Sequence, residues 1–300
     1  MTSTLTNIVD ETLFVLSGYT ALQDQATSLT NNIASGDLVF TTNGNVQLSK
    51  GLVEIDDELI WVDSWDKITN MATVAPYGRG YRGTTPTSHT AGARITLAPT
   101  FPRSQVERSI SATIDALYPD LFGIGTTTFS FSPAVNTYAI PADVIDVIAV
   151  AWQTVGPSKE WIPVKDFRLD LVADPTTWAT GKTITLYSPI VAGRTVSIRY
   201  TNKPPVLVNL TDVFETVTGL PSSCREVVVL GTAYRVATYL DLGRISTVGP
   251  DAAAVGGQGS NPVGTGANIS RMLKQMYQDR LLVEIRRQQE QFKPRVHRTR

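Results

Sequence analysis

The chain has 300 residues, 26 of them basic and 27 acidic, with 42% hydrophobic and 18% charged residues. That balance excludes a wholly disordered chain, which needs low hydrophobicity and high charge. One cysteine, Cys224, excludes an internal disulfide and a cysteine-based metal cluster, and two histidines leave little from which to build a catalytic triad or a metalloenzyme.

The length fits two or three modules of roughly 100–200 residues each. No run of about 18 apolar residues offers a membrane-spanning helix. The opening MTSTLTNIVDETLF lacks the basic-then-apolar pattern of a secretory signal. Within it, Leu5, Val9, Leu13 and Leu16 recur at helical spacing and predict a helix over about residues 5–33, in an N-terminal segment 1–36. A first β module is expected over 37–99, from the short runs DLVF, GLVEI, ELIWV and ARITL. Asp56-Asp57 between two of these runs fits a tight hairpin.

Over 100–125, Val106, Ile110, Ile114 and Leu117 share one helical face, with Ser104 as the expected N-cap and Glu107 completing a capping box. A second β module, a sandwich or small barrel, is expected over 126–206, where strand-like runs alternate with Pro and Gly turn signals. Residues 207–248 hold another helix, with Val227, Leu230, Tyr234, Ala237 and Leu240 as its stripe. A Gly-rich segment, 249–267, reads as a flexible loop. Over 268–300 a long helix carries Ile269, Met272, Met276 and Val283 on one face with Leu273, Tyr277 and Leu281 beside it, and ends in a basic arm. This order predicts an α+β fold: a helical bundle with two inserted β modules and a long C-terminal helix.

Charge is unevenly distributed. Residues 271–300 hold nine basic and three acidic groups, net +6, which leaves 17 basic against 24 acidic, net −7, in the rest. An acidic body with a basic arm suggests that the arm meets something negative.

Candidate chemistry is sparse. Gly78-x-Gly80-x-x-Gly83 matches a dinucleotide fingerprint by letter, but no helical stripe follows to present its N-terminus to a pyrophosphate. The glycines read instead as a loop between strands. His89 has no partner nearby in sequence and reads as a hydrogen-bonded structural histidine. Cys224 reads as a buried packing residue. Asp56, Asp57 and Glu58, and Asp63 and Asp66, read as a turn and solvated strand edges rather than a cation site. Trp61, Trp65, Trp152, Trp161 and Trp178 read as core and packing residues of the β modules. No catalytic, cofactor or metal residues are assigned.

GLVEIDDELIWV followed by YGRGYRGTTPTSHTAGARI resembles a β module of tailed-bacteriophage structural proteins, in which an IDxE turn precedes an RGxxGT…H…G loop. SQVERSISATIDALYPDLF, TVSIRYTNKPP, REVVVLGTAYRVATYL and MLKQMYQDRLLVEIRRQQEQFKPR are similar to phage head-to-tail connector (adaptor) proteins, so that the resemblance covers about residues 37–300. It implies a homo-oligomeric ring in the virion neck, usually twelvefold, made in the host cytoplasm. The ring would sit below the portal, continue the DNA channel and join capsid to tail. Its partners would be the portal protein, further neck or tail proteins, other copies of itself, and double-stranded DNA passing without sequence-specific binding. No membrane and no cofactor are implied. The portal-docking residues implied are Arg271, Met272, Met276, Arg280, Arg286, Arg287, Lys293, Arg295, Arg298 and Arg300. The alternative is a tail-tip or fibre-associated protein whose β modules contact a host receptor or glycan. A virion-associated hydrolase would need paired carboxylates at a defined separation, and nothing in the sequence points to such a pair.

Overall fold

The computed structural model describes residues 3–20, 24–155, 159–238 and 265–292. They form two compact units, one of Thr6–Ile110 and Val228–Tyr277, the other of Met1–Leu5, Ser111–Val227 and Gln278–Arg300.

The first unit is built on a six-stranded antiparallel sheet. Helix α1 (Leu5–Ser17) precedes β1 (Ala26–Ser28), β2 (Val39–Thr41), β3 (Gly51–Ile55), β4 (Glu58–Asp66), β5 (Met71–Val74) and β6 (Arg94–Leu97), and α2 (Arg103–Asp115) follows. The strand order is β1-β6-β3-β4-β5-β2. A bridge between Leu29 and Thr42, just beyond the two edge strands, curls the sheet back on itself as a half-barrel. Alternation sorts the side chains: Val53, Ile55, Ile60, Val62 and Ile95 join Leu29, Phe40 and Val74 in one buried cluster. The β3–β4 hairpin turns at Asp56-Asp57, pairing Ile55 with Glu58, and Asp56 takes a φ of 53°.

The second unit is a sandwich of a four-stranded and a three-stranded sheet. Its strands are β7 (Gly123–Ser130), β8 (Thr137–Ala139), β9 (Asp146–Gln153), β10 (Trp161–Val164), β11 (Phe167–Asp170), β12 (Thr183–Leu186) and β13 (Thr195–Asn202). The sheets run β10-β9-β13-β7 and β11-β12-β8. Val147, Val150, Val196 and Ile198 from one sheet and Ile184 and Leu186 from the other form one core, and Phe129 stacks on Tyr138 with centroids 4.2 Å apart. Near the N-terminus Thr4 bridges Val213, ahead of the short α3 (Phe214–Thr218). The remaining helices are α4 (Arg225–Ala237) and α5 (Thr265–Gln291).

The expected helical bundle with inserted β modules is therefore corrected. The chain is β-rich, with three sheets and five α-helices among the described residues. The reason lies in the number and closure of the strands: thirteen strands stand against five α-helices among the described residues, and the half-barrel and the sandwich each close an apolar cluster of their own. The helix expected over 5–33 ends at Ser17, and residues 26–28 join the half-barrel as β1. Most of the expected loop at 249–267, residues 249–264, and the end of the helix expected before it lie outside the described residues. No helix among the described residues is long and apolar enough to cross a membrane.

Ile198 is fully buried in the sandwich core. Ile198→Ala should cost about 2–5 kcal/mol through lost contacts and a residual cavity, measured by urea unfolding.

Candidate functional site

The residues of the IDxE turn and the RGxxGT…H loop converge on one buried carboxylate. Glu58 opens β4 and its side chain is fully buried. Its Oε1 accepts from Arg79 Nε at 2.7 Å and from the Gly80 N–H at 2.9 Å. Its Oε2 accepts from Arg79 Nη2 at 2.9 Å and the Thr87 N–H at 3.0 Å, and stands 2.9 Å from His89 Nε2. Burial alone would raise this carboxyl, but the bonds from Arg79, Thr87, His89 and Gly80 outweigh it and hold the pKa at about 2.

Arg79 is used completely. Beyond Glu58, its Nη1 donates to the carbonyls of Ala34 and Asp37, both at 2.8 Å, and its Nη2 to the Thr87 carbonyl at 2.6 Å. All five guanidinium donors are thus engaged. His89 is buried, with Nδ1 2.7 Å from Asp56 Oδ2. An imidazole facing a carboxylate at each nitrogen can donate to both only as imidazolium. Its backbone pairs with Ile33 in both directions at 3.0 Å.

The glycine run serves this network. Gly80 takes a φ of 62°, which turns its N–H onto Glu58 at no steric cost. A Cβ at Gly78 would stand 2.6 Å from the Trp61 carbonyl oxygen. The loop runs between β5 and β6, and no helix follows the glycines as a dinucleotide site requires. The cluster therefore locks the half-barrel's loops together, and no residue in it presents a free reactive group to a substrate. Sequence reading placed His89 as a hydrogen-bonded histidine but treated Glu58 as solvated, which is corrected here: its partners lie 21–31 residues further along the chain. The signal was present in the motif itself, whose acid, Arg and His recur in fixed order.

A second carboxylate group sits at the start of α2. Ser104 lies inside the helix and is not its N-cap, contrary to expectation. Glu54 of β3 accepts the Arg103 N–H at 2.7 Å from outside the helix, satisfying a donor that the helix cannot. Arg103 also pairs with Asp57 at 2.8 Å and Asp10 at 2.6 Å. Burial pushes Glu54 up to about 7 against the pull of Arg103. Glu107 rises to about 7 through burial, then through the nearby Asp57 charge. No group of three or more His, Cys, Asp or Glu among the described residues could hold a metal ion.

Helix α5 carries the described part of the expected docking residues. Its buried side is largely polar: Ser270, Leu273, Glu284 and Gln288. Glu284 accepts from Ser223 Oγ at 2.7 Å and pairs with Arg280 at 3.0 Å and Arg287 at 2.8 Å. Arg280 also meets Glu226 at 2.6 Å. Arg280, which also donates to the Ser223 carbonyl, therefore helps to hold the helix in place, whereas Arg287, among the described residues, pairs only along its own helix and stays 58% exposed. Met272 and Met276, each 46% exposed, and Arg271 and Arg286 face solvent. Lys293, Arg295, Arg298 and Arg300 lie outside the described residues. Cys224 is buried beside Glu284, and burial, followed by the Glu284 charge, pushes its thiol up to about 12, far from a reactive thiolate.

Two predictions follow from the carboxylates. Glu58→Gln should destabilise the chain by about 3–5 kcal/mol, because it strands the buried Arg79 charge; thermal or urea unfolding measures it. The pH dependence has two limbs. The depressed Glu58 contributes stability above its unfolded value of 4.5 that is lost as pH falls toward 2. The raised Glu54 and Glu107 favour the fold fully below 4.5, and that contribution is lost as pH rises through 7. The melting temperature should therefore peak near about pH 5 and fall toward about pH 8. Combining Glu54→Gln with Glu107→Gln should flatten the alkaline limb and leave the acid limb intact.

A family model described as SU10 adaptor protein matches residues 89–291. No curated protein matches the chain. The matched span takes in α2, every strand of the sandwich, α4 and α5, and begins at His89, so most of the half-barrel precedes it. With more than half of its length matched, and on the same helices and sandwich strands that resemble connector proteins, the chain belongs to the SU10 adaptor protein family of phage head-to-tail adaptors.

Proposed function

We propose that this adaptor assembles as a non-catalytic ring below the portal, continues the DNA channel and joins capsid to tail, with α5 as its portal-facing element. Family membership is the observation that carries this reading: it makes the chain a structural phage protein of the neck, associated with portal and tail proteins. The surface of α5 supports the finer statement. Arg280 is spent on Glu226 and Glu284, so docking falls to Met272, Met276, Arg271, Arg286 and the exposed Arg287, with the basic residues after the helix extending the contact. Exposed methionines suit a helix laid into an apolar groove, because their flexible side chains adapt to it. The net negative charge of the rest of the chain suits a conduit, since like charge keeps duplex DNA from adhering.

Met272→Asp with Met276→Asp should weaken portal binding by about tenfold or more, since each places a charge in an apolar contact. The melting temperature should hold, because both side chains are exposed. Titration against purified portal measures the loss, and unchanged affinity would sink the portal-facing role of α5. Replacing Arg295, Arg298 and Arg300 with Glu tests the arm in the same assay, where weaker binding is expected.

A further inference from the structure

An aromatic and arginine surface on the half-barrel is held in an unusual backbone conformation. Tyr77 and Arg82 have φ of 60° and 55°, a region that bulky residues rarely occupy. Tyr77 is the third residue of a turn closed by the Gly78 N–H on the Ala75 carbonyl at 2.8 Å. Positive φ at that position ordinarily calls for Gly or Asn, yet here it carries a tyrosine that is 98% exposed. The turn is pinned to β4: the Trp61 N–H donates to the Gly78 carbonyl at 2.8 Å and the Ala75 N–H to the Trp61 carbonyl at 3.0 Å. The Trp61 ring stands 5.3 Å from that of Tyr81, and the Arg82 guanidinium lies 5.7 Å from the Tyr81 ring centre. Exposed Arg108 donates to the Arg82 carbonyl at 3.2 Å. Tyr, Trp and Arg are the residue types that dominate protein–protein contacts.

The same chain carries a surface of matching chemistry. After β11, Leu171 and Val172 are 41% and 91% exposed, between Asp170 and Asp174 with no cation among them. Asp170 Oδ1 accepts the Val172 N–H at 3.0 Å, and Asp174 Oδ1 accepts the Thr176 N–H at 2.9 Å. Both carboxylates are thus fixed at the base of an aliphatic tip.

We infer that the Trp61, Tyr77, Tyr81 and Arg82 surface of one copy receives the Asp170–Asp174 loop of a second copy of this chain. The aliphatic tip covers the aromatic rings, and the two carboxylates meet Arg82 and Arg108. The contact joins two different surfaces, so repeating it generates a closed ring or an open filament. This inference rests on the ring reading above and supplies a copy-to-copy contact for it.

Disulfide trapping in particles tests it. Phage carrying Tyr77→Cys with Val172→Cys in the full chain should give a ladder of linked copies on mild oxidation. Each single variant should stay monomeric on a non-reducing gel. Trapping no greater than for Ile68→Cys with Val208→Cys, both at exposed positions, would overturn the contact, as would links from Tyr77→Cys only to other virion proteins. Electron microscopy of the same particles separates the two claims: a ring without a ladder rejects this contact alone, and particles without a ring reject both. Charge exchange gives an independent reading should the cysteine pair block assembly. Arg82→Glu and Asp174→Arg should each cut incorporation into particles by about tenfold, through like charges set face to face. The combined variant should restore incorporation, and absence of rescue overturns the pairing.

Discussion

Glu58 is the group on which the half-barrel's loops depend. A carboxylate taken out of water is costly unless its lone pairs are met, and here five hydrogen bonds from four residues meet them. The same contacts draw in segments distant in sequence. Arg79 reaches Ala34 and Asp37, Gly80 and Thr87 present backbone N–H groups, and His89 bridges to Asp56. A loop with little apolar content thereby gains a fixed shape. That shape sets Gly80 and the residues around it, including Tyr81 and Arg82 at the surface. Two residues before Glu58 is Asp56 at the hairpin, and one residue before it is Asp57, which pairs with Arg103 at the start of α2. Strand, loop and helix are thus tied through a few adjacent acids, without a metal-binding group among the described residues.

Strands such as β13 are legible because their side chains alternate, while β1, β5, β10 and β11 are too short to show that pattern. Val196, Ile198 and Tyr200 in β13 point one way, and Thr195 and Arg199 are exposed; that pattern is local and needs no partner to be read. The hairpin at Asp56-Asp57 was legible for the same reason. Elements that depend on distant groups were misread. The stripe of Leu5, Val9, Leu13 and Leu16 stops with Leu16, yet the helix was carried on into residues that pair with β6 instead. Ser104 looked like a cap, while the Arg103 N–H is met by Glu54, 49 residues earlier. Glu58 looked solvated because its neighbours in sequence are turn aspartates. In α5 nothing local marks Glu284 and Gln288 as buried, yet both are. These are satisfied by Ser223, two arginines and the backbone of Phe122.

The expected helical frame is replaced by sheets. Helices α1, α2 and α4, of 13 residues each, do bury apolar side chains, but the strands close a half-barrel and a sandwich with apolar clusters of their own. What survives for function is a division of labour along the chain. The span matched to the adaptor family carries the sandwich, α4 and α5, while most of the half-barrel lies ahead of it and contributes the Glu58 lock and the aromatic surface. In the proposed ring, α5 would face the portal and the half-barrel would face a neighbouring copy. Neither role calls for catalysis.

The most direct measurement is cross-linking mass spectrometry on intact particles, followed from Lys274, which is exposed on α5 beside Met272 and Met276. Cross-links from Lys274 to the portal protein are expected if α5 is the portal-facing element of the adaptor. Cross-links confined to distal tail or fibre proteins would contradict that placement and move the chain's working surface away from the head-to-tail junction.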